Sequence, residues 1–128
     1  MKIAVKKLDG KAVVPTRGSR YAAGYDLYAC LGKEAVILPG GTLKIPTGLA
    51  MALPTGYAGF VFARSGIATK RGLVPANCVG VIDSDYRGDV IVALYNNSSE
   101  PQTVLPNERI AQLIVLQINE LEFENTEF

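Results

Sequence analysis

Short apolar runs separated by turn residues define the pattern of this chain. The runs are rich in Val, Ile, Leu, Ala and Tyr, and they predict β-strands at 2–6, 34–38, 42–52, 57–63, 79–83, 89–95, 102–104 and 109–118. Turn signals stand between them, among them PTRGS, LPGG, LPTG, SDYRG, NNSSEP and LPNE. Many short strands with tight connections predict an all-β fold, either a sandwich or a barrel.

Two further stretches have a distinct pattern. Ala63–Gly72, ARSGIATKRG, is the only segment that favours a helix. It spans only about two turns, so it must be stabilised by packing against the sheet. Ala22–Ala29, AAGYDLYA, reads as an apolar, aromatic strand that contains one acid, Asp26. We therefore expect one short helix beside an otherwise β structure.

The length of 128 residues favours a single domain over 1–128. We interpret residues 119–128, which end in LEFENTEF, as a C-terminal extension because their weak alternation does not complete an element. No run approaches the ~20 apolar residues that span a bilayer. The beginning, MKIAVKKLDG, lacks the apolar segment of a signal peptide, so we expect a cytoplasmic protein that does not bind membranes.

Charge and composition exclude several classes of function. The net charge is +1 with acids and bases scattered, so a broad basic surface for nucleic acid is not expected. The chain has no histidine, which excludes Ser-His-Asp and Cys-His catalysis within it. Its two cysteines, Cys30 and Cys78, lack metal-ligand spacing and are interpreted as half-buried thiols in a reducing compartment.

The segment Asn77–Asn96, NCVGVIDSDYRGDVIVALYN, places acids and a ring between two apolar runs. Its simplest interpretation is a solvated hairpin turn with Gly88 at a position of positive φ. Two residues favour a binding site instead. Asp83 follows directly on a buried strand, and Tyr86 is a large ring at a loop tip where polar residues suffice.

The helical segment offers groups that bind an anion. Arg64 can form a bidentate contact with phosphate, and Ser65 with Gly66 opens the helix with a hydroxyl and backbone N–H groups. The alternative is that Ser65 is an ordinary helix cap and Arg64 a surface charge. The local pattern does not decide between the two.

Two polar residues interrupt strands that are otherwise apolar. Asp26 is costly to bury unpaired, so it should face a cation, either as a structural ion pair or to order a site arginine or a metal-bound water. Gln112, in NERIAQLIVLQI, either satisfies neighbouring backbone groups or donates to a ligand. Both readings stay open at this point.

Four segments in order resemble the trimeric dUTPase family (deoxyuridine triphosphate nucleotidohydrolases). AGYDLYA, ARSGIATKRGL, NCVGVIDSDYRGDVIVALYN and ERIAQLI are similar to its first four motifs, and with PTRGS the match runs from about Pro15 to Ile114. Each motif alone is weak, but four at the family's spacing are specific. The resemblance implies a distorted β jelly roll, a homotrimer with active sites shared between subunits, and Mg²⁺-dependent cleavage of dUTP to dUMP and pyrophosphate.

The resemblance also implies roles for the residues of the third motif. Asp83 would position and activate the attacking water. Tyr86 would lie under the deoxyribose and leave no room for a 2′-hydroxyl, while Asn77 and the neighbouring backbone would read the uracil edge. Asp85 and Asp89 are interpreted as turn and surface residues.

The other motifs would hold the triphosphate. By resemblance, Arg64, Ser65 and Gly66 bind the phosphates, with Gln112 contributing from the fourth motif. Asp26 would help to order an arginine or the water shell of Mg²⁺. The metal would be bound mainly through the triphosphate, without direct protein ligands.

The match departs from the family pattern in two places. The family's fifth motif, a Gly-rich arm of the form RGxGGFGSTG that closes over the nucleotide, is absent from these 128 residues, so we expect weak turnover. In the fourth motif the usual Gly before the acid is replaced by Asn107, followed by Glu108. Asn adopts the left-handed conformation readily, so we expect the turn to survive.

Two alternatives to dUTP hydrolysis are considered. A dCTP deaminase shares the fold but needs a general acid/base, usually a Glu, near the base, and the second and third motifs contain no Glu. A regulatory protein that binds nucleotide with little catalysis is the other alternative. We expect dUTP hydrolysis, with dUTP as the substrate.

Overall fold

The computed structural model describes residues 1–128 as a β structure with one short helix. The strands, numbered in chain order, are β1 Ala4–Lys7, β2 Tyr25–Tyr28, β3 Ala35–Ile37, β4 Thr42–Pro46, β5 Leu49–Ala52, β6 Tyr57–Phe62, β7 Leu73–Pro75, β8 Gly80–Ile82, β9 Ile91–Asn96, β10 Gln102–Val104 and β11 Arg109–Gln117. The helix α1, Ser65–Arg71, lies between β6 and β7. It does not have the length and apolar character that a membrane crossing requires. The predicted all-β fold with a single short helix is confirmed.

The strands form four antiparallel sheets. The largest has the order β2-β11-β6-β8, and a three-stranded sheet has the order β4-β9-β7. Two smaller sheets pair β1 with β5 and β10 with β3. The nine-residue strand β11 is central because it pairs with β2 on one side and with β6 on the other.

One apolar cluster of 20 buried residues lies between these sheets. Leu27, Ile45, Leu49, Leu73 and Leu94 are almost completely shielded from solvent. Burying such a side chain contributes about 1.5–3 kcal/mol relative to leaving it exposed. Since these residues come from β2, β4, β5, β7 and β9, the core ties the sheets to one another.

The predicted strand at 42–52 is wrong as a single element. β4 pairs with β9, whereas β5 pairs with β1 in a different sheet. The chain turns between them at Gly48, whose φ is +69°. Thr47 fixes this turn, because its hydroxyl donates to the carbonyl of Val90 at 2.7 Å. The apolar pattern runs through the break because the end of β4, at Ile45 and Pro46, and β5 are buried or partly buried.

The segment between β8 and β9 is not a hairpin. β8 pairs with β6, while β9 pairs with β4 and β7, so residues 83–90 cross from one sheet to another. The strand β7 was not predicted, because it has only three residues and ends in a proline. The predicted left-handed turn at Asn107 is confirmed, with φ of +61°.

Replacing Gly48 with alanine tests the turn between β4 and β5. A Cβ atom there would lie 2.9 Å from Cys30 Sγ and 3.0 Å from Ala12 Cβ, on a backbone of positive φ. Gly48→Ala should therefore lower the free energy of unfolding by roughly 2–4 kcal/mol, measured by urea titration.

Gly56→Ala is the matched control. Gly56 has φ of +88°, but a Cβ there meets nothing within 4 Å. Gly56→Ala should lower the free energy of unfolding only by the cost of a Cβ atom at positive φ, about 1 kcal/mol. Equal losses for the two variants would show that packing against Cys30 and Ala12 does not constrain the turn.

Candidate active site

A cavity of about 220 Å³ lies between β8, β9 and the loop that joins them. Asn77, Asp83 and Tyr86, three of the residues singled out from the sequence, line it together. We call it the β8–β9 cavity. Its other lining residues are mostly apolar and include Val61, Pro75, Val81, Ile82, Val90 and Ile91.

The loop 83–89 is folded around the ring of Tyr86. The Tyr86 amide donates to the carbonyl of Asp83 at 3.1 Å, and its hydroxyl donates to the carbonyl of Asp89 at 2.9 Å. The predicted positive φ at Gly88 is wrong, because Gly88 is not among the glycines with that conformation. Glycine is needed there for space: an added Cβ would lie 2.5 Å from the Tyr86 hydroxyl.

The acids of this loop differ in their partners. Asp83 is exposed, and its carboxylate takes part in none of the chain's salt bridges. Asp89 is partly buried, and its carboxylate accepts from the amide of Gly48 at 3.0 Å. The interpretation of Asp89 as a surface residue is therefore wrong, because it fastens the loop to the turn between β4 and β5.

A second cavity, of about 210 Å³, lies where β2, β11 and the start of α1 meet, and we call it the arginine cavity. Asp26, only 9% exposed, lies within it. Arg64 Nε donates to Asp26 Oδ1 at 3.0 Å, and Arg109 Nη1 lies 3.7 Å from Asp26 Oδ2. The prediction that Asp26 faces a cation is confirmed.

Ser65 and Gly66 line the same cavity. The alternative of a helix cap at Ser65 is wrong, because Arg64 holds the N-cap position without a side-chain cap and Ser65 is the first helical residue. Gln112 also lines the cavity, and its amide donates to the carbonyl of Ala63 at 2.9 Å. Gln112 therefore satisfies a backbone group while standing at the cavity wall.

Arg109 belongs to this site and was not singled out from the sequence. It lines the arginine cavity, and its carbonyl accepts from Arg64 Nη1 at 3.2 Å. The available signal was its position as the first residue of the core strand that carries Gln112, where a cation faces the same end of the sheet as Asp26. From the sequence alone, Arg109 is indistinguishable from an ordinary surface charge.

The two cavities share no lining residue. The arginine cavity is built on β2 and β11, whereas the β8–β9 cavity is at the opposite edge of the same sheet. At the usual strand spacing these edges are roughly 10–14 Å apart. The candidate residues thus divide into two groups within one subunit: Asn77, Asp83 and Tyr86 in one cavity, and Asp26, Arg64, Ser65, Gly66 and Gln112 in the other.

The thiols differ from the expectation that both are half-buried. Cys30 is buried and Cys78 is exposed. Burial raises the pKa of the Cys30 thiol, and the nearby Asp9 carboxylate raises it further. Neither cysteine lines the two cavities.

Together the two cavities define a nucleotide-binding β protein. The β8–β9 cavity offers apolar walls, an aromatic ring, an amide and a free carboxylate, which suits a base and a sugar. The arginine cavity offers two guanidinium groups and a hydroxyl, which suits phosphates.

Comparison with known proteins assigns the family. The family model for dUTPase matches residues 10–128. The deoxyuridine 5′-triphosphate nucleotidohydrolase of Desulfitobacterium hafniense is 51% identical over 119 residues, which are 92% of this chain and 79% of the relative. The enzyme of the same name from Neisseria meningitidis serogroup A is 45% identical over 99% of this chain and 87% of the relative. The chain belongs to the dUTPase family.

Solved structures support the same assignment. A mutant of the dUTPase from Staphylococcus bacteriophage 80alpha, solved with dUpNHpp, superposes with a TM-score of 0.90 at 25% sequence identity. The match covers 99% of this chain and 97% of the phage chain. A mutant dUTPase from phage phi11 of S. aureus, whose structure reveals details for the coordination of a structural Mg(II) ion, superposes with a TM-score of 0.89 at 25% identity. The match covers 100% of this chain and 98% of the phage chain. The expected jelly-roll fold is confirmed.

Gly88→Ala tests how the Tyr86 ring is held. Since φ at Gly88 is not positive, the added Cβ strains no backbone and acts by displacing the ring. The hydrogen bond from the Tyr86 hydroxyl to the Asp89 carbonyl should be lost. This loss should lower the free energy of unfolding by about 0.5–1.5 kcal/mol. The measurements are NMR shifts of the labelled Tyr86 ring and the free energy of unfolding.

Gly10→Ala is the control, because a Cβ at Gly10 meets nothing within 4 Å and its φ is not positive. It should leave the Tyr86 signals unchanged. If Gly88→Ala also leaves them unchanged, the ring is not held by the space at Gly88.

Proposed function

We propose that this chain hydrolyses dUTP to dUMP and pyrophosphate, which keeps uracil out of DNA and supplies dUMP for thymidylate synthesis. The observation that carries the proposal is the pair of cavities: one apolar with a free carboxylate and a ring, the other with two arginines. Relatives named deoxyuridine 5′-triphosphate nucleotidohydrolase support the choice of dUTP.

Uracil is assigned to the β8–β9 cavity, where Asn77 and the β8 backbone read its edge. Glycine at position 80 keeps this wall open, because an added Cβ would lie 3.1 Å from Val61 Cβ and 3.6 Å from Asn77 Nδ2. A narrow cavity excludes the methyl group of thymine. Cytosine is rejected because its edge would leave the site's own donors and acceptors unpaired.

The deoxyribose is assigned to the face of Tyr86. The ring is held by the hydrogen bond from its hydroxyl to the Asp89 carbonyl, so moving it aside for a larger sugar would cost that bond. A 2′-hydroxyl would have to displace the ring and the loop with it. This is the proposed basis for selecting deoxyribonucleotides.

The triphosphate is assigned to the arginine cavity. Arg64 and Arg109 supply positive charge, and Ser65 supplies a hydroxyl. Asp26 holds Arg64 through one oxygen and faces Arg109 with the other, so the two guanidinium groups are oriented before the substrate binds. Preorganised cations stabilise the charge that develops on the phosphates.

Asp83 is the proposed general base. Its exposed carboxylate can accept a proton from a water molecule that attacks the α-phosphorus. The bond from that phosphorus to the bridging oxygen then breaks, and pyrophosphate leaves with the bridging oxygen. Histidine is not needed, because the reaction requires one base and a positioned substrate.

Mg²⁺ is proposed as the cofactor, carried by the triphosphate. The chain contains no group of three or more His, Cys, Asp or Glu side chains that could hold a metal ion. Asp26, the only acid of the arginine cavity, is already paired with arginine. Oxygen donors therefore come mainly from the substrate, which suits the ligand preference of Mg²⁺. When bound, the ion neutralises phosphate charge.

A homotrimer is proposed, with each active site shared between subunits. Support comes from the separation of the two cavities, which places base-binding and phosphate-binding residues at opposite edges of one sheet. If the β8–β9 cavity of one subunit faces the arginine cavity of its neighbour, both halves serve one nucleotide. Cyclic symmetry then repeats the site at every interface.

Deamination of dCTP is less well supported. It needs a general acid/base, usually a Glu, near C4 of the base, and no Glu lines the β8–β9 cavity. Of the two acids there, Asp89 is occupied by the Gly48 amide. Ammonia release from dCTP would identify this activity directly.

Asp83→Asn tests the proposed base. Wild-type protein and variant are compared with a panel of dNTPs and UTP in the presence of Mg²⁺, under single-turnover conditions with protein in excess. Wild type should cleave dUTP preferentially, and Asp83→Asn should slow the chemical step by about 10²–10⁴-fold. The weak multiple turnover expected of these 128 residues, which do not include the Gly-rich arm, stays a prediction.

Asp85→Asn is the matched control, since Asp85 is an exposed acid of the same loop that does not line the cavity. It should retain wild-type rates. Unchanged cleavage by Asp83→Asn would exclude the proposed role. Tight dUTP binding without cleavage by wild type would favour the regulatory alternative.

Mixing two inactive variants tests the shared site. Asp83→Asn alters only the β8–β9 cavity, and Arg109→Ala alters only the arginine cavity, where Asp26 keeps its ion pair with Arg64. In randomly mixed trimers about one quarter of the interfaces would combine two intact halves. Co-expressed variants should therefore regain a corresponding part of wild-type activity, whereas each alone stays inactive. No recovery in verified mixed trimers would show that one subunit supplies both halves.

A further inference from the structure

Arg71, the last residue of α1, reaches across to the segment that precedes β11. Its Nε donates to Gln102 Oε1 at 3.3 Å, and its two terminal nitrogens donate to Glu108 Oε1 and the carbonyl of Thr103. The side chains of Arg71 and Glu108 are 28% and 20% exposed. All three nitrogens of the guanidinium group are thus used inside the protein, and Arg71 does not line the arginine cavity.

Glu108 is fixed on its other sides as well. Its Oε2 accepts from the amide of Leu105 at 2.8 Å, and its carbonyl accepts from the amide of Ala29 at 2.8 Å. The turn is set by the left-handed conformation of Asn107. Glu108 is therefore a rigid anchor directly before Arg109.

The other end of α1 is attached to the next residue of the same segment. Arg64 Nη1 donates to the carbonyl of Arg109 at 3.2 Å, and Arg64 Nε donates to Asp26 at 3.0 Å. The helix is thus fastened at its start to Arg109 and at its end to Glu108. Its seven residues rise about 10 Å, so the two attachments bracket its full length.

The helix contributes little burial of its own, so its side-chain attachments at both ends help to set its position. Ile67 is its only buried residue, and a helix of two turns is not stable on its own. Gly72, directly after the helix, stays bound to the Asn97 amide, so loss of the Arg71 contacts would let the start of α1 shift about this held end. The residues displaced by such a motion are those at its start, Arg64, Ser65 and Gly66, which line the arginine cavity.

We propose that Arg71 and Glu108 form a positioning pair that sets the phosphate-binding geometry of the arginine cavity without contacting the substrate. The inference rests on the proposed assignment of the triphosphate to this cavity. The pair acts through α1 on Arg64 and Ser65, and through the chain on Arg109. The β8–β9 cavity contains none of these residues, so base recognition is independent of the pair.

The test separates phosphate binding from base binding. Isothermal titration measures the dissociation constants of dUpNHpp with Mg²⁺ and of deoxyuridine for wild type, Arg71→Met, Glu108→Gln and the double variant. Each single variant should weaken dUpNHpp binding roughly tenfold and leave deoxyuridine binding unchanged. The double variant should bind dUpNHpp no more weakly than the weaker-binding single variant, because the two single substitutions remove the same interaction.

Two further variants complete the design. Arg71→Lys keeps the charge but carries its three donors on one nitrogen, so it cannot span the acceptors on Gln102, Thr103 and Glu108, and its dUpNHpp affinity should fall between wild type and Arg71→Met. Lys70→Met removes an exposed charge from the neighbouring helix position and should behave as wild type. Urea titration checks that every variant is folded at the temperature of the binding measurement.

The outcomes distinguish the positioning pair from the proposed function. If wild type binds no dUpNHpp, the proposed function fails. If wild type binds and Arg71→Met binds equally well, the pair does not position the cavity. Equal weakening of dUpNHpp and deoxyuridine, or loss of folding in both Arg71→Met and Glu108→Gln, would make the pair merely structural and overturn the proposal.

Discussion

The ion pairing of Asp26 is the interaction on which the rest of the structure depends. A carboxylate that is only 9% exposed is costly without a counter-charge. Arg64 from the start of α1 and Arg109 from the start of β11 supply it, so three elements far apart in the chain are held at one point. The same contacts orient two cations toward a cavity that Asp26 also lines. The pairing of Asp26 with the two arginines is therefore required both for the fold and for the arrangement of the arginine cavity.

The separation of charge between the two cavities has a chemical consequence. In the proposed assignment, the β8–β9 cavity would recognise the base by shape and by unpaired polar groups, which discriminate between bases that carry the same charge. The arginine cavity would bind the phosphates through guanidinium groups, which suit any triphosphate. On this proposal, the distance of Arg64 and Arg109 from the base would let affinity come from one half and specificity from the other. Each subunit carries both halves, but at opposite edges of its four-stranded sheet.

The sequence predicts local features well and tertiary partners poorly. The cost of burying a charge predicts a cation beside Asp26, but not that Arg109 is one of two. Alternating apolar residues predict strands around 42–52, but not the sheet change at Gly48, because that change depends on the strand with which each half pairs. Composition marks residues 83–89 as a turn. It cannot show that Gly88 makes space for Tyr86 or that Asp89 binds the Gly48 amide, since both depend on through-space contacts.

The partners of the acids explain why Asp83 is the carboxylate suited to proton transfer. A carboxylate oxygen that already accepts from an N–H group has fewer lone pairs left for a water molecule. Asp26 is occupied by arginine, and Asp89 by a backbone amide. Asp85 is exposed but lies outside both cavities. Of the acids that line the two cavities, only Asp83 has a carboxylate with neither a salt bridge nor a hydrogen-bond partner, and this supports its choice as the proposed base.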